Sequence, residues 1–140
     1  MIVKKEFHHG NLKNDALEKG LQIIKENGYE NVEIKNIAKA CGVSFPSIYR
    51  HFQSKNDLMM ALFVKVSELF YSYLYCDEDL DKPPRDEIIN MGIGFVRFSR
   101  EYQHYYEFLF NSNFTNRVTY LKLESTKIDR SSDELWVFRT

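Results

Sequence analysis

Phe45, Ser47, Tyr49, Arg50 and His51 fall within seven residues of one another. A guanidinium, a ring nitrogen and two hydroxyls in so short a stretch suit recognition of base edges and phosphates by hydrogen bonding. Phe45 offers no hydrogen bond, so in a major groove it reads only a thymine methyl or the shape of the groove. Catalysis finds no comparable set. No nucleophile stands with a base, no glycine-rich loop is laid out for a phosphate, and no carboxylates pair in an apolar setting, so the chain reads as a non-enzyme with no catalytic residue and no cofactor. His8 and His9 are adjacent, and neighbours in sequence point differently on a helix. With no Cys, Asp or Glu at ligand spacing, they do not read as a metal site.

These side chains need a short helix that protrudes. Such a helix is expected over residues 45 to 51, with Ser44 as its cap and Pro46 in its first turn, where a missing N–H does no harm. A second short helix is expected over residues 34 to 40, joined to it by the tight turn Cys41-Gly42-Val43. Ile37, Ala38, Gly42, Val43, Ile48 and Phe52 supply the small and apolar positions that let two short helices cross steeply around a glycine turn.

In front of this pair, Leu12, Ala16, Gly20, Ile23 and Ile24 recur at helical spacing and predict a first helix over residues 12 to 27. Asn11 is its expected N-cap and Gly28 its left-handed stop. Gly20 in mid-helix costs about 1 kcal/mol relative to alanine, which points to a closely approaching neighbour helix. Behind the pair, Ser54-Lys55-Asn56-Asp57 fits a capping box that starts a long fourth helix, apolar through Leu58, Leu62, Val66, Phe70 and Tyr73 and running to about residue 75. Residues 76 to 85 are acidic, contain Pro83-Pro84 and break the helix. Ile88, Met91, Gly92, Phe95, Ser99 and Tyr102 mark a fifth helix with Asp86 or Glu87 near its start. Residues 106 to 110 form a further short one. Arg97, Arg100 and His104 are placed on one face of the fifth helix and read as a solvated face. From Thr115 onward neither helical nor strand period holds. Leu135, Trp136, Val137 and Phe138 are apolar enough to pack on something.

The chain has 140 residues, 44% hydrophobic and 28% charged, with a net charge of −1. That is an ordinary globular composition. Residues 1 to 58 hold nine Lys/Arg against seven Asp/Glu, and residues 59 to 140 ten against thirteen. The head is only mildly basic, so charge permits a nucleic-acid partner without demanding one. Cys41 and Cys76 are too few for a disulfide framework and read as reduced thiols. The start turns polar at Lys4-Lys5 and no uncharged apolar run is long enough to span a bilayer, so a cytoplasmic protein without membrane contact is expected.

The run Ile37-Ala38-Lys39-Ala40-Cys41-Gly42-Val43-Ser44, followed by Ile48-Tyr49-Arg50-His51-Phe52 and Lys55, resembles the head of the TetR family of bacterial regulators. The resemblance covers about residues 8 to 62. His8-His9-Gly10-Asn11-Leu12-Lys13 is similar to the leading segment of one branch of that family, and residues 86 to 114 resemble the same branch more weakly. It implies an all-α fold, with a helix-turn-helix head over residues 1–55 and a shortened helical regulatory and dimerisation domain over residues 56–140. By position it implies that Phe45, Pro46 and Ser47 touch bases, that Tyr49, His51 and Lys55 contact the backbone, and that Arg50 does either. Lys35 matches a position that reaches DNA in some members, and Ser44 is counted with the DNA-binding set. Two positions depart from the pattern: Glu33 stands where a hydroxyl residue usually caps the second helix, and Phe45 offers no hydrogen bond at a base-contacting position.

Each assignment has a plainer counterpart. Phe52 reads as core, Tyr49 is open between core and DNA contact, Lys35 and Lys55 are open between DNA contact and solvated charge, and Lys4 and Lys5 are either a minor-groove arm or a frayed terminus. The implied partners are double-stranded DNA carrying a palindromic operator, a second copy of the chain, and a small apolar or aromatic effector, suggested by the thirteen aromatic residues between Met59 and Phe114. The implied activity is repression relieved by that effector. Family members generally continue through further helices that form the dimer interface, so here the interface is expected from Val118, Tyr120, Leu121, Leu123 and residues 135 to 138. The alternative is an interaction protein that keeps the head without inducible control.

Overall fold

The apolar spacing at Leu12, Ala16, Gly20 and Ile24 winds into helix α1, Leu12–Asn27, in a computed structural model that describes residues 11–75 and 81–114. Asn11 precedes α1 as expected, but its side chain makes no capping hydrogen bond. Gly28 ends the helix with φ +92° and ψ 159°, donating its N–H to the Ile24 carbonyl at 2.9 Å. That is a glycine-favoured conformation, different from the left-handed helical stop expected there. A 3-10 turn, Tyr29–Asn31, and the buried Val32 lead to α2, Ile34–Cys41.

Helix α2 closes on Gly42, left-handed at φ 67° and ψ 30°. The Gly42 N–H bonds the Lys39 carbonyl at 3.1 Å, and the Val43 N–H reaches back to Ala38 at 3.0 Å. These are the paired bonds of a Schellman stop, and Val43 adds the usual apolar contact by packing on the core. Helix α3, Phe45–Tyr49, is shorter than the span of residues 45 to 51 expected for it. Its end tightens instead, through Arg50 N–H to Ser47 at 3.4 Å and His51 N–H to Ile48 at 3.0 Å.

Helix α4, Lys55–Leu74, starts at the expected capping box. Ser54 Oγ accepts the Asp57 N–H at 3.2 Å, and Asp57 Oδ2 accepts the Gln53 N–H at 3.1 Å. Helix α5, Pro84–Glu101, begins inside the segment expected to be a break: Pro84 occupies its first turn, where proline lacks only an N–H that would have no helical partner. Helix α6, Gln103–Asn111, follows across Tyr102 and is longer than the short helix expected. Every regular element of the described residues is helical, and the fold is all-α.

Buried residues from α1 through α6 form one cluster, with Ile24, Ile37, Ile48, Leu58, Leu62, Val66, Phe98 and Phe108 essentially inaccessible. Two glycines set how closely its helices approach. A Cβ on Gly20 would stand 2.9 Å from both methyl carbons of Leu62, which confirms the close neighbour expected for α1. A Cβ on Gly94 would overlap the Tyr73 carbonyl, so α5 crosses α4 with backbone against backbone. Beyond the crossing, the Phe70 ring meets Phe98 at 5.0 Å, Phe110 at 5.5 Å and Phe95 at 5.8 Å, all edge-on.

Helix α6 also holds the last turns of α1. Tyr105 donates its hydroxyl to the Leu21 carbonyl at 3.0 Å, and burial pushes its phenol pKa up. His104 Nδ1 lies 2.9 Å from the Lys25 carbonyl. His104 therefore belongs to α6 and to this contact, not to a face of the fifth helix shared with Arg97 and Arg100. Arg97 lies 5.5 Å over the Tyr73 ring and 3.7 Å from Glu101. Lys4, Lys5, His8, His9, Cys76, Val118 and the apolar residues 135 to 138 lie outside the described residues. Among the described residues, no helix is long and apolar enough to cross a membrane.

Two glycines of α5 separate propensity from packing. A Cβ on Gly92 would meet nothing within 4 Å, so Gly92→Ala should gain stability by up to about 1 kcal/mol. At Gly94 the obstacle is main chain that cannot rotate away, so Gly94→Ala should lose roughly 1–3 kcal/mol despite the same propensity gain. Urea titration of both variants checks the pair, and equal shifts would contradict the close crossing.

Candidate nucleic-acid interface

A five-residue helix has too few internal hydrogen bonds to persist alone, so α3 depends on what it is packed against. Ile48 is its buried anchor, and Phe52, 2% exposed, continues that face just beyond the helix. Phe52 is thus core, as expected. Lys13 of α1 lies 5.8 Å from the Phe52 ring centroid. Its spacing gave no sign of that proximity, which only the packing of α1 over the pair creates. Cys41, also buried, closes the underside, and desolvation pushes its thiol pKa up, so it packs as a small apolar residue.

The opposite side of α3 faces solvent. Phe45 is 46% and Tyr49 41% exposed, their rings edge-on at a centroid distance of 5.2 Å. The even choice between core and surface for Tyr49 falls to the surface. Pro46, Arg50 and His51 are exposed, and Ser47 is half-buried. Ser44 stands at the N-cap but its hydroxyl does not cap: Ser44 Oγ and Ser47 Oγ hydrogen-bond each other at 2.7 Å, while the Ser44 carbonyl accepts the Ser47 N–H at 3.0 Å.

Lys55 is exposed in the first turn of α4, and Lys35 is exposed in the first turn of α2. Glu33, ahead of α2, gives its carbonyl to the Asn36 and Ile37 N–H groups at 3.1 Å each, with no capping bond from its carboxylate. Among the described residues, no side-chain hydrogen bond or ion pair engages Lys35, Arg50, His51 or Lys55. The fold therefore brings Ser44, Phe45, Pro46, Ser47, Tyr49, Arg50 and His51 together on α3 and its two flanks. Lys35 and Lys55 stand apart, at the starts of the helices on either side. A helix so presented has the dimensions that a major groove about 12 Å wide admits.

Comparison with known proteins points the same way. Residues 16–62 match the family of bacterial regulatory proteins named for tetR. The fatty acid metabolism regulator protein of Bacillus subtilis is 36% identical over 47 residues, 34% of this chain and 24% of that protein. An HTH-type transcriptional regulator of Staphylococcus aureus is 31% identical over 75 residues, 54% of this chain and 40% of that protein. The chain thus spans less than half the length of these curated relatives. A solved TetR family protein from Vibrio parahaemolyticus superposes with a TM-score of 0.61 at 20% identity, covering 85% of this chain and 66% of that one, a likeness of fold. The matched residues 16–62 hold most of α1, all of α2 and α3 and the turn between them, so it is in this helix-turn-helix head that the chain is similar to the bacterial regulatory proteins of the tetR family.

Proposed function

We propose that this chain binds duplex DNA and regulates transcription, with α3 seated in the major groove. The observation that supports it best is the division of α3 into a buried anchor at Ile48 and an exposed face bearing Phe45, Tyr49, Arg50 and His51. Phe45, Pro46 and Ser47 lie nearest the bases in this reading, with Ser44 opening the helix. Tyr49, His51 and Lys55 meet phosphates, Arg50 reaches either, and Lys35 approaches the backbone from α2.

A single small head covers little of a duplex. Two heads about 34–36 Å apart, one turn of DNA, would engage a palindromic operator, so the active species in this reading is a homodimer. The head corresponds to residues 1–55 and a regulatory and dimerisation part to residues 56–140, in a cytoplasmic repressor. A small apolar or aromatic effector would release it by favouring a head spacing that no longer fits adjacent grooves, with as much free energy as its preference between the two states. Tyr105 and His104, which hold the end of α1, are the natural route from the helical part to the head.

The decisive experiment is selection of duplexes from a random-sequence library by the full chain, followed by titration of the selected sites. Enrichment of a symmetric site supports the proposal, and binding no tighter than to random duplex overturns it. Arg50→Ala and Tyr49→Ala should each weaken the selected site by on the order of 1–3 kcal/mol while helical content is unchanged. Lys55→Ala should weaken specific and random duplexes alike and reduce the slope of log affinity against log salt by about 1, as loss of one phosphate contact requires.

A further inference from the structure

The first turn of α3 presents an unusual face for reading base edges. In its N-cap and first turn, Ser44 and Ser47 are the residues with hydroxyls, and those hydroxyls are bonded to each other at 2.7 Å. Pro46 brings no N–H. What projects instead is the Phe45–Tyr49 pair, four residues apart on one face, half-exposed and in edge contact at 5.2 Å. The edge contact favours one placement of the two rings over others, so they present a shared aromatic surface. This surface is not part of the buried core, whose α3 member is Ile48 on the other side of the helix.

In the major groove the four base pairs offer many donors and acceptors, and the thymine C5-methyl is the apolar group among them. An aromatic surface gains by covering that methyl. It loses by covering the cytosine amine, which would be stripped of water without a partner. On this basis we infer that Phe45, braced edge-on by the Tyr49 ring whose hydroxyl end is left for the phosphate, is a thymine-methyl reader, which makes Phe45 the specificity-determining residue of the first turn and places at least one obligatory thymine in each half-site. The inference rests on the proposed DNA-binding function and adds the chemical group that is recognised.

The test uses deoxyuridine, which keeps every pairing and groove hydrogen-bonding group of thymidine and lacks only the methyl. Duplexes selected by the full chain from a random library are resynthesised with dU in place of dT, one position at a time. At one thymine of each half-site, dU should weaken binding roughly four-fold, the worth of one buried methyl. Phe45→Ala should bind the thymine duplex more weakly and treat the two duplexes alike, whereas Phe45→Leu should keep part of the discrimination. Phe45 is half-exposed and outside the core, so thermal melting of both variants should match the parent and exclude misfolding as the cause. Half-sites without a common thymine, equal affinity for dU and dT duplexes at every position, or full discrimination by Phe45→Ala would each overturn the inference while leaving DNA binding itself intact. Failure of the chain to enrich any duplex would overturn the DNA-binding function and the inference with it.

Discussion

Leu62 occupies the space that a side chain at position 20 would need, and the remaining architecture depends on that contact. With Gly20 bare, α1 and α4 approach until Leu62 is fully enclosed, and burial of a leucine contributes about 1.5–3 kcal/mol, more than the helix propensity given up at the glycine. Helix α1 packs in addition against α2, α3 and α6. It is therefore the common wall of the helix-turn-helix pair on one side and of the aromatic helices on the other. A change in how α4 or α6 lies against α1 is felt at the base of α3 because no slack layer separates them.

Much of this was legible in the residues. The periods of α1, α2 and α4, the glycine stop at Gly42, the box at Ser54 and the core role of Phe52 all rest on local chemistry, and local chemistry decides short-range geometry. The signals that misled were those with two uses. Asn11 and Ser44 both stand at N-caps yet neither caps, and for Ser44 the reason is that its hydroxyl bonds the Ser47 hydroxyl instead of a backbone N–H. Pro83-Pro84 reads as a breaker or as a helix start, and only the position of the following apolar face separates the two. His104 looked like surface because its partner, the Lys25 carbonyl, lies 79 residues away in the chain. The same distance effect hid Lys13, and the residues proposed to meet DNA are legible by resemblance more than by any pattern of their own.

Recognition and stability compete within α3. Five residues leave one buried position, Ile48, to hold the helix, while Phe45, Pro46 and Tyr49 face solvent and Ser47 lies half-buried with its hydroxyl bonded to Ser44. The stiffness of that surface is borrowed from Phe52 and from the Val43 stop, both outside the helix's own hydrogen bonds. Such a helix is ordered by its neighbours or not at all. Its exposed face can vary freely in composition provided the anchors stay.

The tie between α6 and α1 has an asymmetry of its own. Tyr105 and His104 both make polar contacts across it, and both of their partners are main-chain carbonyls, at Leu21 and Lys25. A carbonyl is present whatever residue occupies the position, so mutation along α1 leaves both acceptors in place, whereas a single change at Tyr105 removes its bond. Genetic drift in the head is thus decoupled from the link that connects it to the rest of the molecule. If the chain is the inducible regulator proposed for it, one half can diversify its target while the tie to the other is inherited unchanged.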